Sequence, residues 1–176
     1  ETFLDTWTPE MAYVLGYFAA DGHMFKNKNG SCYMAFTSAD QELLISVKEI
    51  MEVTNSIQSH VFSNKKWKTK YVLQIGSKKI YNCLLKLGFT PNKSLSLSFP
   101  DIPDSVVSHF IRGYFDGDGC AGFYKIQRKD RKSKYLFLTI QFRCGSKKFL
   151  EILKQKLEEL KRIFLGFLLS TVAPTL

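Results

Sequence analysis

Apolar residues in the first half of the chain alternate between the spacing of a helix and the spacing of a strand. They recur every three to four positions in the predicted helices and at every second position in the predicted strands. Thr8 with Pro9, a capping box from Ser38 to Gln41, and Ser77 are typical helix starts. The predicted order is αββαββα, an α+β arrangement. Its elements cover residues 8–21, a hairpin over 23–37, 39–53, a second hairpin over 58–63 and 69–76, and 77–87.

The second half repeats this order without completing it. Pro103 and Asp104 introduce a helix as Thr8 and Pro9 do, and Ser146 introduces another. After the second of these helices no further hairpin or helix pattern follows. The predicted elements here are a helix over 104–118, strands over 121–128 and 134–143, and a helix over 147–164. We therefore predict two pseudo-symmetric αββαββα halves, 1–88 and 104–176, joined by a linker over 89–103, with the second half incomplete.

Two segments share their sequence at a fixed offset, which indicates an internal duplication. Residues 15–22 read Leu-Gly-Tyr-Phe-Ala-Ala-Asp-Gly, and residues 112–119 read Arg-Gly-Tyr-Phe-Asp-Gly-Asp-Gly. A shift of 97 positions, which places Gly16 on Gly113, aligns the shared Gly, Tyr, Phe, Asp and Gly. Each segment has small residues four positions apart, a spacing that allows two helices to pack backbone to backbone. We therefore predict that the two motif helices lie side by side.

Each motif helix is predicted to end at an aspartate followed by glycine, which suits a left-handed residue after a helix end. Asp21 and Asp118 then lie at the negative ends of two helix dipoles, where an acid is unfavourable. Two such carboxylates brought together also repel each other. Carboxylates and free backbone carbonyls form an all-oxygen ligand set that suits Mg²⁺. The sequence therefore predicts a shared divalent metal site between the halves.

The two segments resemble the motifs of the LAGLIDADG homing endonucleases, in the single-chain form that carries two motifs. The matching cores are residues 14–22 and 111–119. The resemblance implies that Asp21 and Asp118 bind catalytic metal ions, and that the backbone carbonyls of Ala20 and Gly117 assist them. It also relates Lys93, in Pro-Asn-Lys-Ser, to a lysine near the family's active site; the alternative is a solvated linker lysine.

One position in the motifs departs from the family. Ala19 stands where the family often has an acid, whereas Asp116 keeps an acid at the equivalent position. In the family this residue is usually not a metal ligand, so the departure leaves the expected metal site intact.

The resemblance implies a site-specific double-strand DNA endonuclease that hydrolyses one phosphodiester bond in each strand with Mg²⁺. A non-cleaving nucleic-acid binder on the same fold, such as an RNA maturase or a transcription regulator, is the alternative. Both motif acids are present, and a pure binder gains nothing from carboxylates clustered near phosphate.

The charge of the chain favours a polyanionic partner, because 25 Lys and Arg outnumber 16 Asp and Glu. Basic residues in the hairpin turns are placed to bind phosphates, and polar residues on one strand face can read base edges in the major groove. The predicted contacts to double-stranded DNA are Tyr33, Thr37, Lys65, Lys66, Lys68, Lys70 and Gln74 in the first half, and Lys125, Gln127, Arg128, Lys129, Arg131, Lys132, Thr139, Gln141 and Arg143 in the second.

The cysteines and the apolar segments indicate the cellular compartment in which we expect the protein. The four cysteines show no C-x-x-C spacing, so we expect reduced thiols in an intracellular, reducing compartment. We also expect no signal peptide and no membrane-spanning segment. The incomplete second half leaves a strand edge unpaired, and we expect a monomer with a tendency to associate through that edge.

Overall fold

The computed structural model describes residues 3–62, 68–93, 95–127 and 134–171; the side chains of 126, 134–135 and 163–171 lie outside this description. The described residues form five helices and six strands. In chain order these are α1 (Pro9–Asp21), β1 (Gly22–Lys26), β2 (Cys32–Ser38), α2 (Gln41–Ile50), β3 (Ile57–His60), β4 (Lys70–Gly76), α3 (Lys78–Lys86), α4 (Val107–Asp118), β5 (Gly119–Gln127), β6 (Lys134–Phe142) and α5 (Lys147–Thr171).

The first half has the predicted αββαββα order. Its four strands form one antiparallel sheet in the order β1-β2-β4-β3. Phe36 in the centre of β2 lies opposite Gly22 on one side and Leu73 on the other. Phe36 and Leu73 are fully buried in the core. One face of this sheet therefore carries the core, and the other is free to face a ligand.

Side chains cap the helix N-termini in this half by hydrogen bonds, and one of the predicted caps is corrected. The Met11 N–H donates to Thr8 Oγ1 at the start of α1, and the Ile80 N–H donates to Ser77 Oγ at the start of α3, as predicted. The prediction of Ser38 as the cap of α2 was wrong. The carboxylate of Asp40 accepts from the first turn instead, because an aspartate at this position reaches two free N–H groups.

The second half begins its motif helix later than predicted and extends its last helix further. Asp104 does not start a helix: α4 begins at Val107, and the Asp104 carboxylate pairs with Lys156 Nζ at 3.0 Å. The last helix, α5, continues to Thr171, seven residues beyond the predicted end at 164. Within the described ranges, β5 and β6 form a two-stranded sheet with no further strand beside them. The second half is therefore shortened, as predicted.

The two motif helices pack against each other through glycines. A Cβ on Gly16 would collide with the carbonyl of Phe110, and a Cβ on Gly113 would collide with the carbonyl of Tyr13. The shift of 97 positions converts one contact into the other, because it places Gly16 on Gly113 and Tyr13 on Phe110. The predicted side-by-side packing is therefore correct, and it has an internal pseudo-twofold relation.

One face of the β5–β6 hairpin is apolar and uncovered; we call it the open apolar face. In register, Phe142 lies opposite Gly119 as Phe36 lies opposite Gly22, so Ile140 corresponds to the fully buried Met34. Ile140 is nevertheless 59% exposed. The other members of this face are also exposed, at 68% for Phe123, 62% for Leu136 and 51% for Leu138. The incomplete half therefore leaves an apolar strand face exposed.

Two further findings concern the periphery of the fold. A cavity of about 560 Å³ lies between α4, β6 and α5, where Ile111, Phe115, Ile140 and Leu157 contribute to its wall. No helix in the described part of the chain has both the length and the hydrophobicity that a membrane crossing requires.

Candidate metal and nucleic-acid site

The motif helices bring their ends together where each runs directly into a strand. The N–H of Gly22 donates to the carbonyl of Phe18, and that of Gly119 donates to the carbonyl of Phe115. The prediction of left-handed glycines was wrong, since both are extended, with φ of −81° and −83°. Glycine is required for a different reason: a Cβ on Gly22 would collide with the ring of Phe18, and a Cβ on Gly119 would collide with the ring of Phe115.

The four residues predicted to form the metal site lie together. A Cβ on Gly117 would lie 2.5 Å from the Cβ of Ala20 and 3.5 Å from Oδ2 of Asp21. Asp118 follows directly, as the last residue of α4. Since the final carbonyls of a helix have no partner within the helix, oxygen donors from both motifs converge at this end of the helix pair.

The electrostatics of the two aspartates are unfavourable without a cation. Burial raises the pKa of both carboxyls above the ordinary value of 3.8, and the negative charge of Asp118 raises the pKa of Asp21 further. The ammonium of Lys93 acts against both shifts. The pair therefore has a residual repulsion that a second positive charge would relieve.

Lys93 is a buried member of the same site. Its side chain is only 7% exposed, and Nζ lies 5.5 Å from the centroid of the Phe18 ring. Burial lowers the pKa of Lys93 to about 8, although the charges of Asp118 and Asp21 act to raise it. The alternative of a solvated linker lysine therefore does not describe this side chain.

The donor set fits a hard divalent cation held partly by backbone oxygens. In the ranges that the structure covers, no three His, Cys, Asp or Glu side chains are grouped closely enough to bind a metal. The site offers two carboxylates instead, with the carbonyls of Ala20 and Gly117 at the helix ends. Mg²⁺ is commonly bound by one or two carboxylates, with water and substrate phosphate completing its shell. The residues present therefore fit such an ion.

The free face of the first sheet begins beside this site. Strand register places Tyr33, Thr37, Lys70 and Gln74 on that face, as predicted. Lys68 is exposed beside them, and Lys65 and Lys66 lie outside the described residues.

Sequence reasoning missed an aromatic stack on this face. The His23 ring stacks on Phe25 at 5.8 Å between centroids, and Phe25 stacks on Tyr33 at 5.1 Å. Phe25 lies two residues from His23 on β1, so strand alternation was the signal that could have identified it. The stack makes the sheet face near the candidate metal site partly aromatic.

The predicted contacts of the second half divide between two faces. Thr139 and Gln141 share one face of β6, and Arg143 follows the strand. Lys125 and Gln127 lie on the opposite face, because they pair with Leu136 and Lys134. Arg128, Lys129, Arg131 and Lys132 lie outside the described residues. The structure therefore does not bring Lys125 and Gln127 to the surface that carries Gln141.

Comparison with known families matches the first half of the chain. Residues 8–88 match the family model of a LAGLIDADG-like domain. This match shows that the first half of the chain is a LAGLIDADG-like domain. A search of curated proteins found no match.

Solved structures of similar proteins are meganucleases of low sequence identity. Meganuclease I-SmaMI bound to uncleaveable DNA with a TTCT central four is 15% identical, with a TM-score of 0.49 over 77% of this chain and 66% of that one. I-CpaMI bound to uncleaved DNA is 14% identical, with a TM-score of 0.46 over 77% and 66%. The I-LtrWI homing endonuclease bound to target DNA is 14% identical, with a TM-score of 0.46 over 76% and 66%. The chain spans about two thirds of the length of these structures.

Proposed function

We propose that this protein is a site-specific DNA endonuclease that hydrolyses phosphodiester bonds with a divalent cation, Mg²⁺. The observation that carries the proposal is the convergence of Asp21 and Asp118, from two copies of one motif, at the end of a tightly packed helix pair. Ionised carboxylates at this place repel each other and repel phosphate. Their joint presence is explained by metal-dependent phosphoryl chemistry and not by nucleic-acid binding alone.

Each residue of the site has a distinct part in this proposal. Asp21 and Asp118, with the carbonyls of Ala20 and Gly117, would hold the cation. When bound, a divalent cation activates water and stabilises charge on the leaving oxygen. Lys93, whose pKa is about 8, is able to place a positive charge or a proton beside the scissile phosphate near neutral pH.

The proposed substrate is double-stranded DNA, bound along the free faces of the strands. The chain has a formal net charge of +9, which supports a polyanionic partner. Lys70 and Gln74 on β4 and Gln141 on β6 lie on strand faces, where phosphate contacts would set affinity and base contacts would set the site. We propose that the protein acts as a monomer on this substrate.

The second candidate is a non-cleaving nucleic-acid binder, such as an RNA maturase or a transcription regulator. The shortened second half favours it, because the described part of that half offers a sheet of two strands to DNA, whereas the first half offers four. The two candidates differ in their need for the carboxylates. A binder would retain its affinity and function after both aspartates are replaced.

Cleavage of a randomised plasmid library tests the proposal. The protein is incubated with the library in Mg²⁺, and in Ca²⁺ as the comparison that supports binding without cleavage; the ends produced are then sequenced. We expect one enriched site in Mg²⁺, and no ends with the double variant Asp21→Asn, Asp118→Asn. If the wild-type protein bound DNA or RNA but produced no cleaved ends in Mg²⁺, the non-cleaving binder would be favoured.

A further inference from the structure

A single side-chain hydrogen bond crosses the helix pair close to the candidate site. Tyr13 on α1 donates from its hydroxyl to Oδ2 of Asp116 on α4, at 2.9 Å. Tyr13 is 7% exposed, and the guanidinium of Arg112 lies 4.6 Å from the centroid of its ring. The tyrosine is therefore fixed from both sides, and its hydroxyl reaches the last turn of the opposite helix.

This hydrogen bond has no counterpart under the pseudo-twofold relation between the two motif helices. The shift of 97 positions places Tyr13 on Phe110 and Ala19 on Asp116. Phe110 has no hydroxyl to donate, and Ala19 has no side-chain acceptor. The backbone contacts of Gly16 and Gly113 are repeated in both halves, but the hydrogen bond is not.

The last turns of the two helices differ in a way that explains the asymmetry. The final turn of α1 carries Ala19 and Ala20, whereas that of α4 carries Asp116 and Gly117. Glycine is less favourable than alanine inside a helix, and an extra acid at the C-terminus opposes the helix dipole. Alanine cannot replace Gly117, because its Cβ would lie 2.5 Å from that of Ala20. The end of α4 is therefore intrinsically weaker than the end of α1.

We propose that Tyr13 is a positioning residue for Asp118. By donating a hydrogen bond to Asp116, it stabilises the last turn of α4. This turn is weak because the close contact with α1 requires glycine at position 117. Asp21 needs no equivalent support, since its own turn is built of alanines. The consequence for catalysis rests on the proposed function, but the effect on the helix end does not.

Hydrogen exchange of the metal-free protein tests the structural part. Tyr13→Phe removes the hydroxyl and keeps the ring. We expect the amides of Asp118 and Gly119 to exchange about fivefold faster, the change that loss of about 1 kcal/mol produces. The amides of Asp21 and Gly22 serve as the internal control and should keep their rate. Equal acceleration at both helix ends, or no acceleration at either, would overturn the proposal.

A double-mutant cycle separates the hydrogen bond from other effects of the tyrosine. In an Asp116→Ala background, Tyr13→Phe should no longer change exchange at Asp118. Asp116→Asn keeps a neutral acceptor and should retain most of the protection. An undiminished effect of Tyr13→Phe in the Asp116→Ala background would show that the tyrosine acts through something other than this carboxylate.

Strand-specific cleavage tests the catalytic part on a target selected from the library. With each strand labelled separately, Tyr13→Phe should slow one strand about fivefold more than the other, so that nicked DNA accumulates. Equal slowing of both strands would refute a role specific to Asp118. If the wild-type protein cleaves no DNA, the proposed endonuclease function fails, while the exchange measurements still decide whether Tyr13 holds the end of α4.

Discussion

Nζ of Lys93 lies 5.5 Å from the centroid of the Phe18 ring, so a linker residue packs its cation against the first motif helix. The same ammonium acts on the pKa of both Asp21 and Asp118. A buried cation is tolerated when opposite charges and an aromatic face replace its water. The linker is therefore part of the candidate site and does more than join the two halves.

Replacing Lys93 by methionine should remove a pH dependence of stability. The pKa of Lys93 is about 8 in the fold, against an ordinary value of 10.5. Because the unfolded chain binds more protons between these values, stability rises with pH across that window, on the order of 3 kcal/mol. Urea unfolding of the metal-free protein from pH 7 to 10 should show this rise, and Lys93→Met should lack it. The exposed Lys86 provides the control: if Lys86→Met also removed the rise, Lys93 would not be its source.

Asp118→Asn should stabilise the metal-free protein. The pKa values of both motif carboxyls are raised in the fold, so the fold binds more protons than the unfolded chain. Stability therefore falls as pH rises from 3.8 through the raised values, and the ionised pair is unfavourable at pH 7. In EDTA the variant should melt higher than the wild type, by about 2–4 °C for each kcal/mol. A lower melting temperature would mean that the carboxylate stabilises the fold without metal.

The same variant should separate cleavage from binding. Asp118→Asn removes a proposed metal ligand and a negative charge near phosphate, so cleavage should be lost or reduced to nicking while DNA affinity persists or increases. Calcium should raise the melting temperature of the wild type and not of the variant. Unchanged double-strand cleavage by the pure variant would exclude the metal role of Asp118.

The two faces of the second hairpin should differ in base recognition. Gln141→Ala should relax preference at one or two base positions by about 1–3 kcal/mol, because its side chain lies on the face opposite the open apolar face. Lys125→Ala is the matched control from the opposite face, and it should leave the order of preferred bases unchanged. Base preference is measured as the affinity of each protein variant for a panel of DNA targets that differ from the selected site at single bases. If Lys125 changed base preference and Gln141 did not, the open apolar face would be the one that meets DNA.

The shortened second half should be less protected than the first. Strand β6 has one neighbour in the described part of the chain, whereas β4 has two. Amides of residues 134–142 should therefore exchange faster than those of residues 70–76. Equal protection of the two segments would show that the second half is stable without further strands.

Leu138→Lys should reduce self-association with little loss of stability, since this side chain is 51% exposed.

The sequence by itself determined the duplication and the order of elements, and it predicted the residues of the candidate metal site. These are encoded locally: the shared Gly-Tyr-Phe segment gives the offset, alternation along each strand separates its two faces, and Asp-Gly marks each helix end. The errors were also local. Asp40 displaced Ser38 as a cap because its carboxylate reaches two N–H groups, and α4 starts at Val107 and not at Asp104.

Only the tertiary structure decided which residues act together across the chain. No periodicity indicates that Tyr13 bonds to Asp116, 103 positions away, or that Lys93 is buried beside both aspartates. Both depend on how closely α1 approaches α4, and that distance is set by glycine contacts with the opposite backbone. Register in the second hairpin likewise decided that Lys125 lies on the face opposite Gln141, because pairing between strands, and not composition, assigns each side chain to a face.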